Sequence, residues 1–568
     1  MILKKNKTAT KKEMKFFAWI ILFLVLTVDI SIAQQLAFPT ADGYGKYVTG
    51  GRGGTVIEVT NLNDDGQPGS LRYAVNQSGA RTIVFRVSGT IALTSSINIT
   101  KGDLTIAGQT APGDGICVKN YKFNISTSNV IIRYMRFRLG SEKVWGDDAF
   151  GGYSPKNSAG TSNTLPIKNI MIDHCSVSYG SDETLSIYDI ENLTVQWCII
   201  SESLNKDGHG FGGIMGGWGA SLHHTLFAHH KSRSPRFCGS RYQFNLKREV
   251  VDMRYNIIYD AGHSYGGEGG HHNVINNYYK RGESDFCNPT QPNPSTTDNE
   301  FMTCIYDSIF STWYVNGNFI FGNATQTADN WSGGGVKLNW PALNKRIYNP
   351  LPSAYLGANE TAEEAYIKVC NSAGANLPKR DTVDKRVVNE VKTNTGKVPL
   401  TMADIPGQAF PTLNSLPAPA DDDHDGMPNN WEVAHNLKPN DAADRNSIGK
   451  DGYTQLEVYL NSLTGEISTG IKESQEQLPT RFVLHQNYPN PFNPTTVIKY
   501  QIANGSHVTL KIYDLLGREV ATLLDEYQTS GNYSKDFGVE NTQLVSGIYF
   551  CRLTAGEYSS VKKMILTK

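Results

Sequence analysis

The sequence predicts an all-β protein: a right-handed parallel β-helix, then a small calcium-loop module, then a C-terminal β-sandwich. Three observations carry this reading. A short phrase recurs between Asn129 and Phe321, as VIIRYMRF, IMIDHCSV, LTVQWCII, ASLHHTLF, VDMRYNII, HNVINNYY and YVNGNFIF. An acidic stretch from Asp421 to Glu432 has the spacing of a calcium loop. From Leu478 onward, short alternating segments are divided by turn residues.

One register of the repeated phrase aligns Tyr134, His174, Trp197, His224, Asn256, Asn277 and Asn318. The period is about 22 residues with irregular additions, as in a stacked coil that carries loops. Each copy alternates with period two, so one face points inward. No copy can bury its apolar face alone, whereas stacking buries it. Loops projecting from the stack would form a groove. Residues 34–128 read as opening coils, 129–322 hold the ladder, and 323–417 are less regular. Two helix-like patches, TAEEAYIKVC and DTVDKRVVNEVK, would cap or flank the stack, and Pro-rich LNSLPAPA reads as a linker.

The start of the chain reads as an export signal. Six lysines between Lys4 and Lys15 precede an apolar run, and Ser31-Ile32-Ala33 offers small residues for cleavage. The run from Phe16 to Val28 is shorter than the ~20 residues a membrane span needs. The expected divisions are therefore a signal peptide at 1–33, the β-helix at 34–417, the calcium-loop module at 418–465, a linker at 466–480 and the sandwich at 481–568. A net charge of −1 gives no electrostatic case for nucleic acid. Export permits disulfides. Cys175 and Cys198 follow the ladder position and would stack inside, bonded or merely packed, while Cys287 with Cys304 is a plausible loop staple. No CxxC spacing supports zinc.

The segment DDDHDGMPNNWE fits D-x-D-x-D-G-x5-E through Asp421, Asp423, Asp425, Gly426 and Glu432. Gly permits the sharp turn, and the last Glu can bind calcium through both oxygens. A second acidic element, Asn440 to Asp451, would complete a paired module. No groove residues accompany the loop, so its role is expected to be structural. The last 90 or so residues alternate as strands and suggest a small sandwich. The phrases NYPNPFNPTT, IYDLLGREV and SGIYF closely resemble the C-terminal sorting domain of type IX secretion. That resemblance implies a secreted protein, released or held at the cell surface.

Four features of the coil region carry chemistry: Asp147-Asp148, Asp182-Glu183, Lys206 and the stretch Arg233-Ser234-Pro235-Arg236. Carboxylates on adjacent coils can converge, because neighbouring strands lie about 4.8 Å apart. Hard oxygen ligands suit calcium, which takes ~6–8 of them, and a carboxylate substrate would supply some. Lys206 and Arg233 would then stand beside that substrate. Asp173 and His174 fall on the ladder and read as structural. The pairs His223-His224, His229-His230 and His271-His272 read as coil faces and turns rather than zinc ligands. Gly208 to Gly213 form a nominal GxGxxG, but no strand–turn–helix unit surrounds it. Trp145 and Trp218 would either stack on sugar rings or pack in the core.

On these residues the chain resembles a pectate lyase of polysaccharide lyase family 1 over residues 36 to about 410. The opening GRGGTVIEVTNLNDDGQPGSLRYAV, with TIVFRVSGTI and TIAGQTAPGDGI, resembles the start of many members. GDDAF, IMIDHCSVSYGSDETLSI and RSPRFCG resemble the active-site stretches. The resemblance implies Arg233 as catalytic base, Lys206 as substrate-binding lysine, and Asp148 and Asp182 as Ca²⁺ ligands, with Asp147 and Glu183 beside them. Two positions depart from the family pattern. Ser186 stands at the second Asp of D-x-x-x-D, where Glu183 would substitute as ligand. Cys238 stands at the second Arg of R-x-P-x-x-R, with Arg236 nearby as a substrate-binding candidate.

The implied reaction is cleavage of de-esterified polygalacturonate by calcium-assisted β-elimination to 4,5-unsaturated oligogalacturonides. An arginine base is demanding, since the ordinary guanidinium pKa exceeds ~12. Lys206 is the alternative base, because a lysine pKa is easier to lower. The expected partners are an acidic plant polysaccharide and the secretion machinery, without nucleic acid, and the chain is expected to be a monomer. Other readings stay open at this point. They are a lyase for methylated pectin, a β-helix glycoside hydrolase using two of the carboxylates, and an adhesive solenoid.

Overall fold

The computed structural model describes residues 34–154, 167–239, 249–262, 264–267, 269–284, 300–305, 310–339, 344–466, 482–487, 490–503, 505–528, 531–538, 544–556 and 558–567. The expected signal peptide, the 466–480 linker beyond residue 466, and Cys287 fall outside them. The chain forms two compact units, Met1–Ser468 and Thr469–Lys568.

The first unit is a parallel β-helix with three faces. The first face runs from Ile97–Ile99 through Phe123–Ile125, Phe150–Tyr153, Leu185–Gln196, Ile214–His223, Arg236–Phe237, Ser264–Gly267 and Met302–Ile305 to Val336–Leu338. The second runs from Thr55–Val59 through Val130–Arg133 and Ile167–Asp173, continues in the later halves of the two long strands, and ends at Asn344–Arg346. The third joins Gly89–Ala92 to Phe319–Ile320 by way of Arg136–Arg138, Ser176–Ser178, Ile199–Ser201 and Leu226–His230. Parallel pairing throughout buries both edges of each strand except at the ends of the stack.

Period-two alternation builds the interior. Ile106, Ile132, Ile172, Val195, Leu222, Met253, Val274 and Val315 occupy one register position in successive coils and are all buried. Each such side chain gains roughly 1.5–3 kcal/mol by leaving water. Cys175 and Cys198 lie inside as free, buried thiols, so they pack and do not bond.

The turn from the second face to the third takes two residues in every coil from Arg133 to Phe319. Its first residue is left-handed: Tyr134, His174, Trp197, His224, Tyr255, Asn276 and Gly317 have φ between 49° and 70°. The expected single register is therefore corrected. Asn256, Asn277 and Asn318 belong to the next column, with Met135, Cys175, Cys198 and Thr225. Both corner positions accept Asn, one because it tolerates positive φ and the other because its amide bonds to the next coil. Asn277 Oδ1 accepts from the Asn256 N–H at 3.0 Å, and Asn318 Oδ1 accepts from the Asn277 N–H at 2.9 Å. In the first column, rings stack instead: Tyr134 on His174 at 4.8 Å and Trp197 on His224 at 4.1 Å. Asp173 is structural, fully buried and paired with Arg133 at 2.7 Å.

Both helix-like patches are helices. Ala362–Ser372 starts at a capping box of Thr361 and Glu364, and Thr382–Thr393 starts at Asp381. Their apolar residues Val369, Cys370, Val387 and Val391 pack on Leu226, Ala228, Ile257 and Tyr259 of the third face. Buried Arg138 pins the second helix through Asp381 at 2.6 Å and Asp384 at 3.0 Å. The Pro-rich stretch is no free linker. Ser415 bridges to Gly113, and Asp114 accepts from the Asn414 N–H at 3.0 Å. The acidic module packs on the opening coils, with Met427, Leu456 and Leu460 buried against Ala107.

The second unit has two antiparallel sheets. One holds Val483–Leu484, Thr495–Ile502 and Gly531–Gly538; the other holds Glu519–Gln528, Ser506–Tyr513, Gly547–Ala555 and Tyr558–Leu566. Alternate residues such as Ile498, Tyr500, Leu510, Cys551, Leu553 and Met564 form its core.

Candidate active site

Four successive loops lead from the third face back to the first, ahead of Phe150, Leu185, Ile214 and Arg236. Because the coils stack, these loops stack too. Residues distant in sequence meet along one edge for this reason. The Asp182 and Ser181 N–H groups both donate to the Asp147 carbonyl, at 3.2 and 3.0 Å. Isolated bridges then join Glu183 to Phe211 and Phe211 to Ser232. Glycine is needed where the loops close up: a Cβ on Gly213 would lie 1.6 Å from the Leu185 carbonyl. The Gly213 N–H donates to the Arg233 carbonyl at 2.8 Å. The nominal GxGxxG thus serves close packing between coils.

Carboxylate oxygens of Asp148, Asp182 and Glu183 lie within 4.8 Å of one another. Asp148 is buried, takes the Lys122 Nζ at 2.7 Å, and accepts the Glu183 N–H at 3.1 Å. Burial pushes the Asp148 carboxyl above its usual range, Lys122 opposes this, and neighbouring Asp182 adds to it. Burial works against the charge of Lys122, but Asp148 and Asp147 outweigh it and raise its pKa. Asp182 pairs with His209, and Glu183 pairs with Arg233. Asp147 lies outside the trio. It caps the Asp148 N–H at 2.9 Å and lies 3.6 Å from Lys122.

Arg233 sits in the left-handed region, with φ 57°. Its guanidinium lies 4.4 Å from the Phe211 ring centroid, and its Nε donates to the Tyr265 hydroxyl at 3.3 Å. Arg236 lies three residues on, against the same tyrosine, 5.6 Å from the ring centre. Lys206 is exposed at the rim, with its Nζ 5.6 Å from the Trp145 ring. It forms no ion pair among the described residues. Trp145 is 36% exposed and donates to Asp207 at 2.5 Å, whereas Trp218 is half-buried beside Val250. Tyr153 stacks on Tyr188 at 5.3 Å on the outer side of the first face.

The structure thus brings Asp148, Asp182, Glu183 and Arg233 into contact, with Asp147 behind them, Arg236 beside them and Lys206 at the rim. Ser186 is not in the trio; its hydroxyl accepts the Ile214 N–H at 3.2 Å. Cys238 is fully buried and presents nothing to the groove. Sequence reasoning missed Lys122, His209, Phe211 and Tyr265. Only His209 and Phe211 carried a signal, as part of the stretch GHGFGG dismissed as a nucleotide motif. In the acidic module, Asp421, Asp423 and Asp425 form a second close group.

Residues 486–567 match the family described as "Secretion system C-terminal sorting domain". This marks the chain as secreted. The β-helix unit has curated relatives. A "Probable pectate lyase C" of Aspergillus flavus is 34% identical over 440 residues, spanning 75% of this chain and 94% of that protein. One of Aspergillus terreus is 32% identical over 461 residues, spanning 78% and 98%. The crystal structure of jun a 1, the major allergen from cedar pollen, aligns at 17% identity with a TM-score of 0.41, covering 59% of this chain and 92% of its own. Near-complete coverage of relatives at this identity places the enzyme among the polysaccharide lyases: the chain belongs to the pectate lyase family.

Proposed function

We propose that this lyase cleaves de-esterified polygalacturonate by calcium-assisted β-elimination, releasing 4,5-unsaturated oligogalacturonides. One observation carries the reading: stacked loops put a three-carboxylate group against an arginine on an open edge of the β-helix. Three hard carboxylates, one of them held buried, fit a calcium ion and leave positions for substrate oxygens. Asp148, Asp182 and Glu183 would hold it. Once bound, calcium would neutralise the substrate's C6 carboxylate and so acidify the hydrogen on C5.

The chain's own residues do the rest. Glu183 and Tyr265 orient the Arg233 guanidinium. In its neutral guanidine form Arg233 takes the C5 proton, the C5–H electron pair forms the C4–C5 double bond, and the C4 oxygen leaves with the bonding pair of the glycosidic link and takes a proton from water. Lys206 pairs with a uronate carboxylate from the rim, and Arg236 extends the cationic surface along the first face. Asp147 and Lys122 keep Asp148 in place. An uncharged methyl ester would lose the pairing with Lys206, which is why the de-esterified polymer is the expected substrate.

The experiment is digestion of polygalacturonate and of methylated pectin, read by the ultraviolet absorbance of the unsaturated product, with and without chelator. The expected result is product from polygalacturonate, lost on chelation and lost in Arg233→Ala. Activity that survives chelation and prefers the methyl ester would replace this reading with a pectin lyase.

A further inference from the structure

The acidic loop from Asp421 to Glu432 closes on a second segment that the loop motif does not include. Asp444 lies on the single turn Asp444–Asn446, and its carboxylate joins those of Asp425 and Glu432 within 4.8 Å. Asp425 also belongs to the group with Asp421 and Asp423. Asp421 is partnered through both oxygens, which accept the Asp425 and Gly426 N–H groups at 3.2 and 3.1 Å. The others are not: Asp425 and Asp444 each have one oxygen bonded, to the Met427 N–H at 2.9 Å and the Lys438 N–H at 2.8 Å. Both oxygens of Asp423, both of Glu432, Asp425 Oδ2 and Asp444 Oδ1 are buried without a hydrogen bond. Glu432 and Asp425 are 0% exposed. Among the described residues, no cationic side chain pairs with Asp423, Asp425, Glu432 or Asp444.

Buried carboxylates persist when paired or bound to metal. Those six oxygens come from four side chains on two segments, and six is within the ~6–8 that calcium takes. We propose that Asp423, Asp425, Glu432 and Asp444 hold one calcium ion that clamps the acidic module shut against the opening coils. This site is separate from the loops around Arg233 and does not rest on the proposed reaction.

The attachments of the clamped segment explain its effect. His424 pairs with Glu58 at 2.8 Å, and Arg86 joins Glu58 at 3.1 Å to Asp421 at 3.6 Å. Met427 is fully buried in the module's apolar cluster with Ala107. On the far side, Arg445 reaches the Gly54 carbonyl at 3.4 Å. Both halves of the site are thus fastened to the strands that begin the second face. With the ion present the halves are held together. Without it four carboxylates repel one another, and the cover over the first coils loosens.

The test uses the full chain. Thermal unfolding is followed by the β-sheet circular dichroism signal, with calcium and after chelation, for wild type, Glu432→Gln, Asp444→Asn and Asp148→Asn. The expected result is that calcium raises the melting temperature of wild type and Asp148→Asn, and no longer does so in Glu432→Gln or Asp444→Asn. Equilibrium dialysis should show one ion fewer per chain in the latter two. A calcium-dependent rise retained by Asp444→Asn, or lost in Asp148→Asn alone, overturns the proposal. Should Glu432→Gln fail to fold, terbium emission excited through the adjacent Trp431 decides. Emission no greater in wild type than in Trp431→Phe would refute the site.

Discussion

Two acidic groups in one unit are built in opposite ways. Around Asp148, every carboxylate leans on a basic neighbour: Lys122 on Asp148, His209 on Asp182 and Arg233 on Glu183. Around Glu432, the oxygens are buried and have no such partner among the described residues. The first arrangement can exchange partners, because each carboxylate has a basic side chain beside it whether or not a substrate is present. The second has no alternative partner and is suited to holding one ion permanently. Exchangeable charge belongs where chemistry occurs, and uncompensated buried charge where an ion fixes the structure.

Breaking the first group should give the largest effect. Arg233→Ala is expected to lower turnover on polygalacturonate by about 10²- to 10⁴-fold, the range for loss of a general base. The calcium-dependent melting temperature should stay at the wild-type value; a fall in both would show that the two groups are not independent. Asp148→Asn should raise the calcium concentration needed for half-maximal activity by roughly 10-fold or more, about 1.4 kcal/mol. That titration is read by product absorbance, and an unchanged midpoint would remove Asp148 from the ligand set.

A pH series sharpens the contrast with an ion-paired site that needs no metal. His229 lies between Asp260 at 2.8 Å and Glu390 at 3.2 Å. Burial alone would lower its pKa, but the two carboxylates outweigh this and raise it to about 9. A pKa raised above the unfolded value gives stability that is complete below about 6.5 and is lost as pH rises through about 9. Melting temperature should therefore fall between those pH values, and less steeply in His229→Gln. Parallel slopes in the two proteins would refute the assignment. The smallest effect is expected at the rim. Trp145→Ala removes a cation–π contact with Lys206 worth about 0.5–1 kcal/mol and should raise KM about two- to fivefold with kcat unchanged.

Much of the molecule was legible because alternation and the coil period are local properties. VIIRYMRF and IMIDHCSV announce their inward residues without knowledge of the fold. The corner was misread by one position in its last copies. Asn suits both of its adjacent positions, so Asn256 looked equivalent to His224 when Tyr255 is. LNSLPAPA was misjudged because proline content does not reveal that Asn414 and Ser415 are tied to Asp114 and Gly113. The acidic pairs, Lys206 and Arg233 stood out as charges in otherwise apolar or small-residue contexts. Lys122 and Tyr265 did not, and Asp444 stood out only as part of the second acidic element, Asn440 to Asp451. Each reaches its group by coil stacking or chain reversal across loops of unequal length, and no fixed spacing encodes that.

The two-residue corner between the second and third faces has a further bearing on descent. Because its length does not vary from Arg133 to Phe319, this part of the solenoid has a fixed spine beside a margin where segments differ in size. Insertions and deletions can accumulate at that margin without shifting any rung. Variation and reactivity therefore share a border, and new substrate preferences can be acquired there by changing loop length while the interior is inherited intact.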